Sequence, residues 1–119
     1  MILIYADREC FTPIDKILWD SHLKITLFNG EEELLPNTAE EGSHVTATFY
    51  VKNDERNRFV VTGLSFPDPR VKVSIENVRL EPYSVVQIKL SYDVPEQVSE
   101  QDVIAAGQIK LEGYHIIIS

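Results

Sequence analysis

Three histidines, His22, His44 and His115, one cysteine, Cys10, and the neighbouring pairs Ser21-His22 and Ser43-His44 are the side chains from which a zinc site, a proton relay or an activated hydroxyl would be built. Zinc needs three or four convergent nitrogen or sulfur ligands, usually announced by a short repeat such as His-x-x-x-His, and these residues keep no such spacing. A nucleophilic serine needs its base within hydrogen-bond reach. Neighbours on a strand point to opposite faces, so neither Ser-His pair makes a dyad. The glycine patterns of nucleotide and dinucleotide sites and the Gly-x-Ser-x-Gly elbow of hydrolases do not occur. No catalytic residue, cofactor or metal is expected, and the chain is not expected to be an enzyme.

Two ligand classes have raw material. Asp54, Glu55, Asp68, Glu96 and Glu100 are loop carboxylates of the hard-oxygen kind that calcium takes, although their spacing matches no EF-hand. Trp19, Tyr50, Tyr83 and Tyr114 are the aromatic residues from which a carbohydrate platform would be made, against the competing reading of half-buried sheet residues.

The totals exclude more than they select. With 19 acidic and 11 basic residues the net charge is −8, which opposes attraction to phosphate backbones and anionic lipid, so neither nucleic acid nor membrane is an expected partner. The acids gather at Glu31-Glu32-Glu33, Glu40-Glu41 and residues 93 to 102, in loop-like stretches that read as a solvated, self-repelling surface. MILIYADREC is too short in its apolar part and too polar for a signal peptide or a membrane span. Cys10 has no partner for a bridge, which is compatible with a reducing cytoplasm. A chain of 119 residues fits one domain able to bury about two-thirds of its extended surface without a metal or disulfide staple.

Short alternating runs separated by turn residues carry the fold. In LKITLF (23–28) Leu23, Ile25 and Leu27 are expected inward and Lys24 and Thr26 outward. VTATFYVK (45–52) places Val45, Ala47, Phe49 and Val51 on one face, and SVVQIKLSY (84–92) does the same with Val86, Ile88, Leu90 and Tyr92. KNDERN (52–57) supplies turn chemistry, RFVVTGLSF is a strand with a bulge expected at Gly63, and GQIKLEGYHIII is a closing strand with another at Gly113. LSFPDPRVKV is a corner, since Pro67 and Pro69 end one strand and turn the chain into the next, leaving Asp68 and Arg70 as exposed contact candidates. Residues 93–104 read as a polar connection, or one helical turn capped by Ser99 and Asp102. With no amphipathic helix of ordinary length, the pattern predicts an all-β antiparallel sandwich of about seven strands, with a closed barrel as the alternative.

The expected organisation is an N-terminal arm or edge strand over residues 1–22 and the sandwich over 23–119. ILIY is compatible with an edge strand. TPIDKILWD carries Ile14, Ile17, Leu18 and Trp19 around one or two helical turns headed by Thr12-Pro13, an arm that either packs on the sandwich or docks on a neighbour. Ile14, Ile17 and Trp19 therefore join Asp68 and Arg70 as interface candidates.

With these strands in place, SHVTATFYVKND, VVTGLSFPDPRVKV, LEPYSVVQIKLSYDVP and the terminal IKLEGYHIII resemble, in that order, the immunoglobulin-like modules of the ASPM/SPD-2/Hydin type. The matching residues are Phe49 to Asn53, Leu64 to Val73, Leu80 to Ser84 and Lys89 to Pro95, with Tyr83 standing where the pattern has Gly-Glu. The resemblance spans roughly residues 43 to 118 and leaves the N-terminal third unmatched; its motifs specify architecture and carry no chemistry. It implies an immunoglobulin-like fold with a binding or assembly role. Such modules occur in large cytoskeletal and ciliary proteins, and similar single domains decorate bacteriophage capsids and tails. A copy starting at its own Met1 without an export signal is expected to be of the second kind. That means a non-enzymatic virion protein assembled in the host cytoplasm, with viral capsid or tail proteins as partners, and compatible with a homo-oligomer inside the assembly. A cytosolic adaptor whose sheet edge accepts a partner strand or peptide, and a carbohydrate-binding module, are the alternatives.

Overall fold

The computed structural model describes residues 2–20, 24–30, 32–33, 37–38, 40–97 and 103–117. Among them there is no helix. The strands are β1 (Ile2–Tyr5), β2 (Lys16–Asp20), β3 (Lys24–Asn29), β4 (Glu32–Glu33), β5 (Asn37–Thr38), β6 (His44–Asn53), β7 (Phe59–Ser65), β8 (Lys72–Ile75), β9 (Arg79–Leu80), β10 (Val85–Asp93), β11 (Val103–Gly107) and β12 (Lys110–His115). They form three sheets: β1-β6-β10-β8, then β11-β2-β3-β4 with β5 also on β3, and β12-β7-β9. Every pairing is antiparallel, so the protein is all-β as expected. The strand count exceeds the expected seven by five: β4, β5 and β9 are two residues long, too short to show a period in sequence, and β2 and β11 form in stretches expected to be a helical arm and a polar connection.

The long pair β6 and β10 is the frame. Directly opposed residues share a face, and the register sets Phe49 against Ile88 and Val51 against Val86, all four buried together with Leu90 and Tyr92. The other two sheets cover opposite ends of this face. At one end Trp19 of β2 meets Tyr92 edge-on, with ring centroids 5.4 Å apart; at the other, Asn53 closing β6 reaches the Leu80 carbonyl of β9 at 3.0 Å. Laying two small sheets end to end over one long one gives a body of 55 × 26 × 18 Å.

The corner at residues 64–73 forms as expected. β7 ends at Ser65, Phe66 and Val71 are buried on either side of the turn, and β8 starts at Lys72. The two bulges expected at Gly63 and Gly113 are one irregularity seen from both strands. Glu112 pairs with Gly63 and Gly113 with Val61, which leaves Thr62 as the extra residue. At Gly113 a Cβ would run into the Val60 carbonyl oxygen and lie 2.7 Å from the Phe59 ring, so the backbone itself would have to move. Gly113→Ala is expected to cost about 1–3 kcal/mol, seen as a lower urea midpoint at unchanged slope.

Several expectations are corrected. TPIDKILWD is not helical: Thr12-Pro13 lies against β1, with Pro13 bridged to Tyr5, and residues 16–20 are the inner strand β2 between β11 and β3. Ile17 and Trp19 are two apart and both face the core, a strand period that the spacing from Ile14 to Ile17 had masked. Thr26 was expected outward. It lies opposite Leu18 on the face away from Ile17 and Trp19, yet is 3% exposed, while Leu18 beside it is half-buried. The polar connection is not all loop, since Val103–Gly107 forms β11; the Ser99 and Asp102 cap lies outside the described residues.

Candidate functional site

Two sheets end on strands that each have a single neighbour among the described strands, β1 on the first and β12 on the third. Between them opens an apolar groove of about 750 Å³. Ile2 and Ile4 form one wall because they lie opposite Asn53 and Val51, whose side chains face inward. Ile109, Leu111 and Gly113 form the other, Ile17 and Phe59 lie beneath, and Pro13 and Ile14 close one end. The charged rim residues are Asp15, Lys16 and Glu112, with Lys110 holding Glu112 at 3.0 Å, so the mouth is close to neutral despite the acidic chain.

The wall at Pro13 and Ile14 is held by a tied loop. Asp7 accepts the Phe11 N–H at 3.0 Å and the Thr12 N–H at 2.8 Å, the Ala6 N–H reaches the Thr12 carbonyl at 2.9 Å, and the Ile14 N–H reaches the Ile4 carbonyl at 2.9 Å. Asp15 then accepts the Gly30 N–H at 2.6 Å, lashing the segment to the end of β3. Desolvation pushes the Asp7 carboxyl up but is outweighed by these amide donors, which hold it below its usual 3.8. At the corner, the Arg70 guanidinium hydrogen-bonded to Asp68 likewise holds that carboxyl below 3.8, against desolvation. Groups lowered in the fold contribute stability that is complete above the usual value and lost as pH falls through the lowered one. Thermal melts are therefore expected to fall between pH 5 and about pH 2, and Asp7→Asn to remove part of that loss.

The five interface candidates separate. Ile14 is half-buried on the groove wall and Ile17, 1% exposed, is its floor. Trp19 is fully buried against Tyr92 and offers no surface, which corrects its place among interface residues and removes it as a carbohydrate platform. Asp68 is largely covered, its side chain 13% exposed, whereas Arg70 stays exposed as expected, its side chain 56% open. Arg70 Nη2 and Nε lie 2.6 and 3.0 Å from the Asp68 carboxylate, and the Arg70 N–H donates to it at 2.9 Å. Ile2, Ile4, Ile109 and Leu111 were read only as strand residues. Their alternation was visible, but that two chain ends lie side by side was not.

The other chemical candidates stay apart. Among the described residues no three His, Cys, Asp or Glu side chains are placed to hold a metal. Asp54 faces Lys52 at 4.0 Å, Glu55 faces His115 at 2.8 Å, and Asp68 is engaged with Arg70; Glu100 and His22 lie outside the described residues. His44 sits 2.6 Å from Asp93. Burial pushes the Cys10 thiol up, away from nucleophilic use. Tyr50 lies beneath the Arg8 guanidinium at 5.1 Å, while Tyr83 and Tyr114 are exposed on separate segments. Tyr83 holds a left-handed φ of 58° in the turn after Pro82, a costly conformation for an aromatic residue. What the groove offers is apolar surface beside the edge of β12, the pairing chemistry that an extended segment uses, since the edge of β1 is already bonded to residues 12–14. No protein-family model, curated protein or solved structure matches the chain.

Proposed function

We propose that this protein is a non-enzymatic structural domain that acts through protein–protein contacts, with the groove between β1 and β12 as its contact surface. The observation that carries the proposal is an apolar cleft beside the terminal strand β12, since a main-chain edge supplies affinity and apolar pockets supply register, while β1 on the other side already bonds residues 12–14. Together with the immunoglobulin-like resemblance of residues 43–118, it favours a virion component, on a bacteriophage capsid or tail, partnered by viral structural proteins. Repetition in such a shell multiplies weak contacts, so a groove of this size suffices for firm attachment. The protein is then expected to co-purify with particles, and Ile14→Arg, which puts a charge on the groove wall, to abolish incorporation while the circular dichroism of the fold is kept. Particles that retain the variant at wild-type occupancy would remove the groove from the contact.

A second reading, a cytosolic adaptor, draws on the same terminal strand β12, whose neighbour among the described strands is β7 alone. It predicts capture of one extended host peptide and no particle association. A glycan array would test the carbohydrate-binding alternative, which the burial of Trp19 leaves to the exposed tyrosines.

A further inference from the structure

The main-chain bonding of β12 fixes which of its groups point away from β7, its neighbour among the described strands. The Ile116 N–H donates to the Arg58 carbonyl at 2.8 Å, so Ile116 and, two residues earlier, Tyr114 opposite Val60 turn their amides and carbonyls towards β7. β7 keeps the same alternation, since Val61, the residue after Val60, sends its N–H the other way, to the Val78 carbonyl at 2.8 Å. Leu111, Gly113 and His115 therefore turn their groups to the open edge. Thr62, the extra residue of the bulge, lies on β7, which leaves β12 itself regular. Side chains alternate as well, so Lys110, Glu112, Tyr114 and Ile116 share the outer face. That face has a charged half, Lys110 and Glu112 at 3.0 Å, and an apolar half, Tyr114 and Ile116, 55% and 37% exposed.

We infer that this edge pairs with the same edge of a second copy, the two β12 strands running antiparallel about a two-fold axis at Gly113; the inference rests on the reading of β12 as the contact strand and names what lies on it. The strand is self-complementary in this register. Leu111 meets His115 of the second copy, Gly113 meets Gly113 and His115 meets Leu111, three bonded pairs that exchange two hydrogen bonds each. On the outer face an antiparallel mate reverses the order, so Tyr114 lies opposite Glu112 of the second copy and Ile116 opposite Lys110, each apolar group against the aliphatic stem of a charged one. Neighbouring registers are poorer. An axis at Glu112 sets two carboxylates face to face, and an axis at Tyr114 leaves Leu111 to pair beyond the end of β12. Lys110 and Glu112 cancel, so the strand brings no net charge to the contact, while the chains as wholes, at −8 each, repel. The interface is small, so the dimer is weak and tightens as salt screens that repulsion.

Sedimentation velocity of the full chain from about 1 µM to 1 mM, at low and high salt, is the test. The wild-type mass is expected to rise towards a dimer and no further, because a two-fold contact uses up both edges. Hydrogen exchange at the Leu111, Gly113 and His115 amides should slow over the same range, and that of Tyr114, already bonded to β7, should change less. Tyr114 is exposed, so its variants should melt close to the wild type. Tyr114→Glu sets a carboxylate opposite Glu112 of the second copy at two symmetric places and Tyr114→Lys an ammonium, so at low salt the first is expected to have a dissociation constant about 10-fold above the second. The same two changes at Phe11, 83% exposed on a separate loop, alter the net charge equally and should differ by less than about twofold. A wild type that stays monomeric throughout, or Tyr114 variants that differ no more than the Phe11 variants, overturns the inference. If the wild type is monomeric and Ile14→Arg still loses particle association, the groove remains the contact surface and something other than a second copy lies on β12.

Discussion

Trp19→Ala is expected to cost about 3–5 kcal/mol and to lower the melting temperature by roughly 10–25 °C, which leaves a domain of this size near the edge of unfolding. The side chain is fully buried, stands edge-on to Tyr92 at 5.4 Å, and its strand lies between β3 and β11, so no neighbouring element is free to collapse into the cavity. Trp19→Phe separates volume from polarity. The indole Nε1 has no hydrogen-bond partner among the described residues, and removing it offsets part of the lost surface. That variant should lose less than about 1.5 kcal/mol. Urea melts followed by far-ultraviolet circular dichroism measure both. An alanine variant with the wild-type midpoint would mean that residues 16–20 are an undocked arm.

Asn53 carries the second large effect. It is fully buried, and its amide donates to the carbonyls of Asn57 at 2.8 Å, Leu80 at 3.0 Å and Glu81 at 3.3 Å. One side chain therefore ties the end of β6 to the turn before β7 and to β9. It also supports the Glu81–Ser84 turn, where Tyr83 is held in its left-handed conformation. Asn53→Leu keeps the volume and removes these three donations, while the Glu81 carbonyl keeps the Ser84 N–H and hydroxyl and the Asn57 carbonyl keeps His115, and is expected to cost about 1–3 kcal/mol. Asn53→Asp should cost at least as much at neutral pH, because a carboxylate turns acceptors towards acceptors. Desolvation and the facing carbonyls raise the carboxyl introduced there above its unfolded value. Its deficit relative to the wild type is then smallest in acid and grows as pH rises through the raised value. A deficit independent of pH would show that packing, not donation, is what Asn53 supplies.

The frame was legible because alternation is local. VTATFYVK and SVVQIKLSY display a buried face at every second position, and the paired prolines of LSFPDPRVKV cannot sit inside a ladder, so β6, β10 and the corner between β7 and β8 follow from residue types alone. TPIDKILWD was misread because Ile14, Ile17 and Leu18 satisfy a helical spacing as well as a strand one, and only the flanking strands β3 and β11 select the strand. Asn53 looked like turn chemistry, since the partners that make it a buried tie lie four and more than twenty residues away in sequence.

The groove divides in the same way. That Ile2, Ile4 and Leu111 belong to strands was determined by the sequence, through alternation and the absence of helix signals, whereas Ile109 lies in the short connection before β12. That β1 and β12, from opposite ends of the chain, become facing edges around one apolar cleft was decided by tertiary structure alone. The physical reason is that strand formation needs only a residue's neighbours. Which strands come to lie beside one another depends on how three sheets share one core, to which Trp19 is buried at one end and Asn53 reaches at the other.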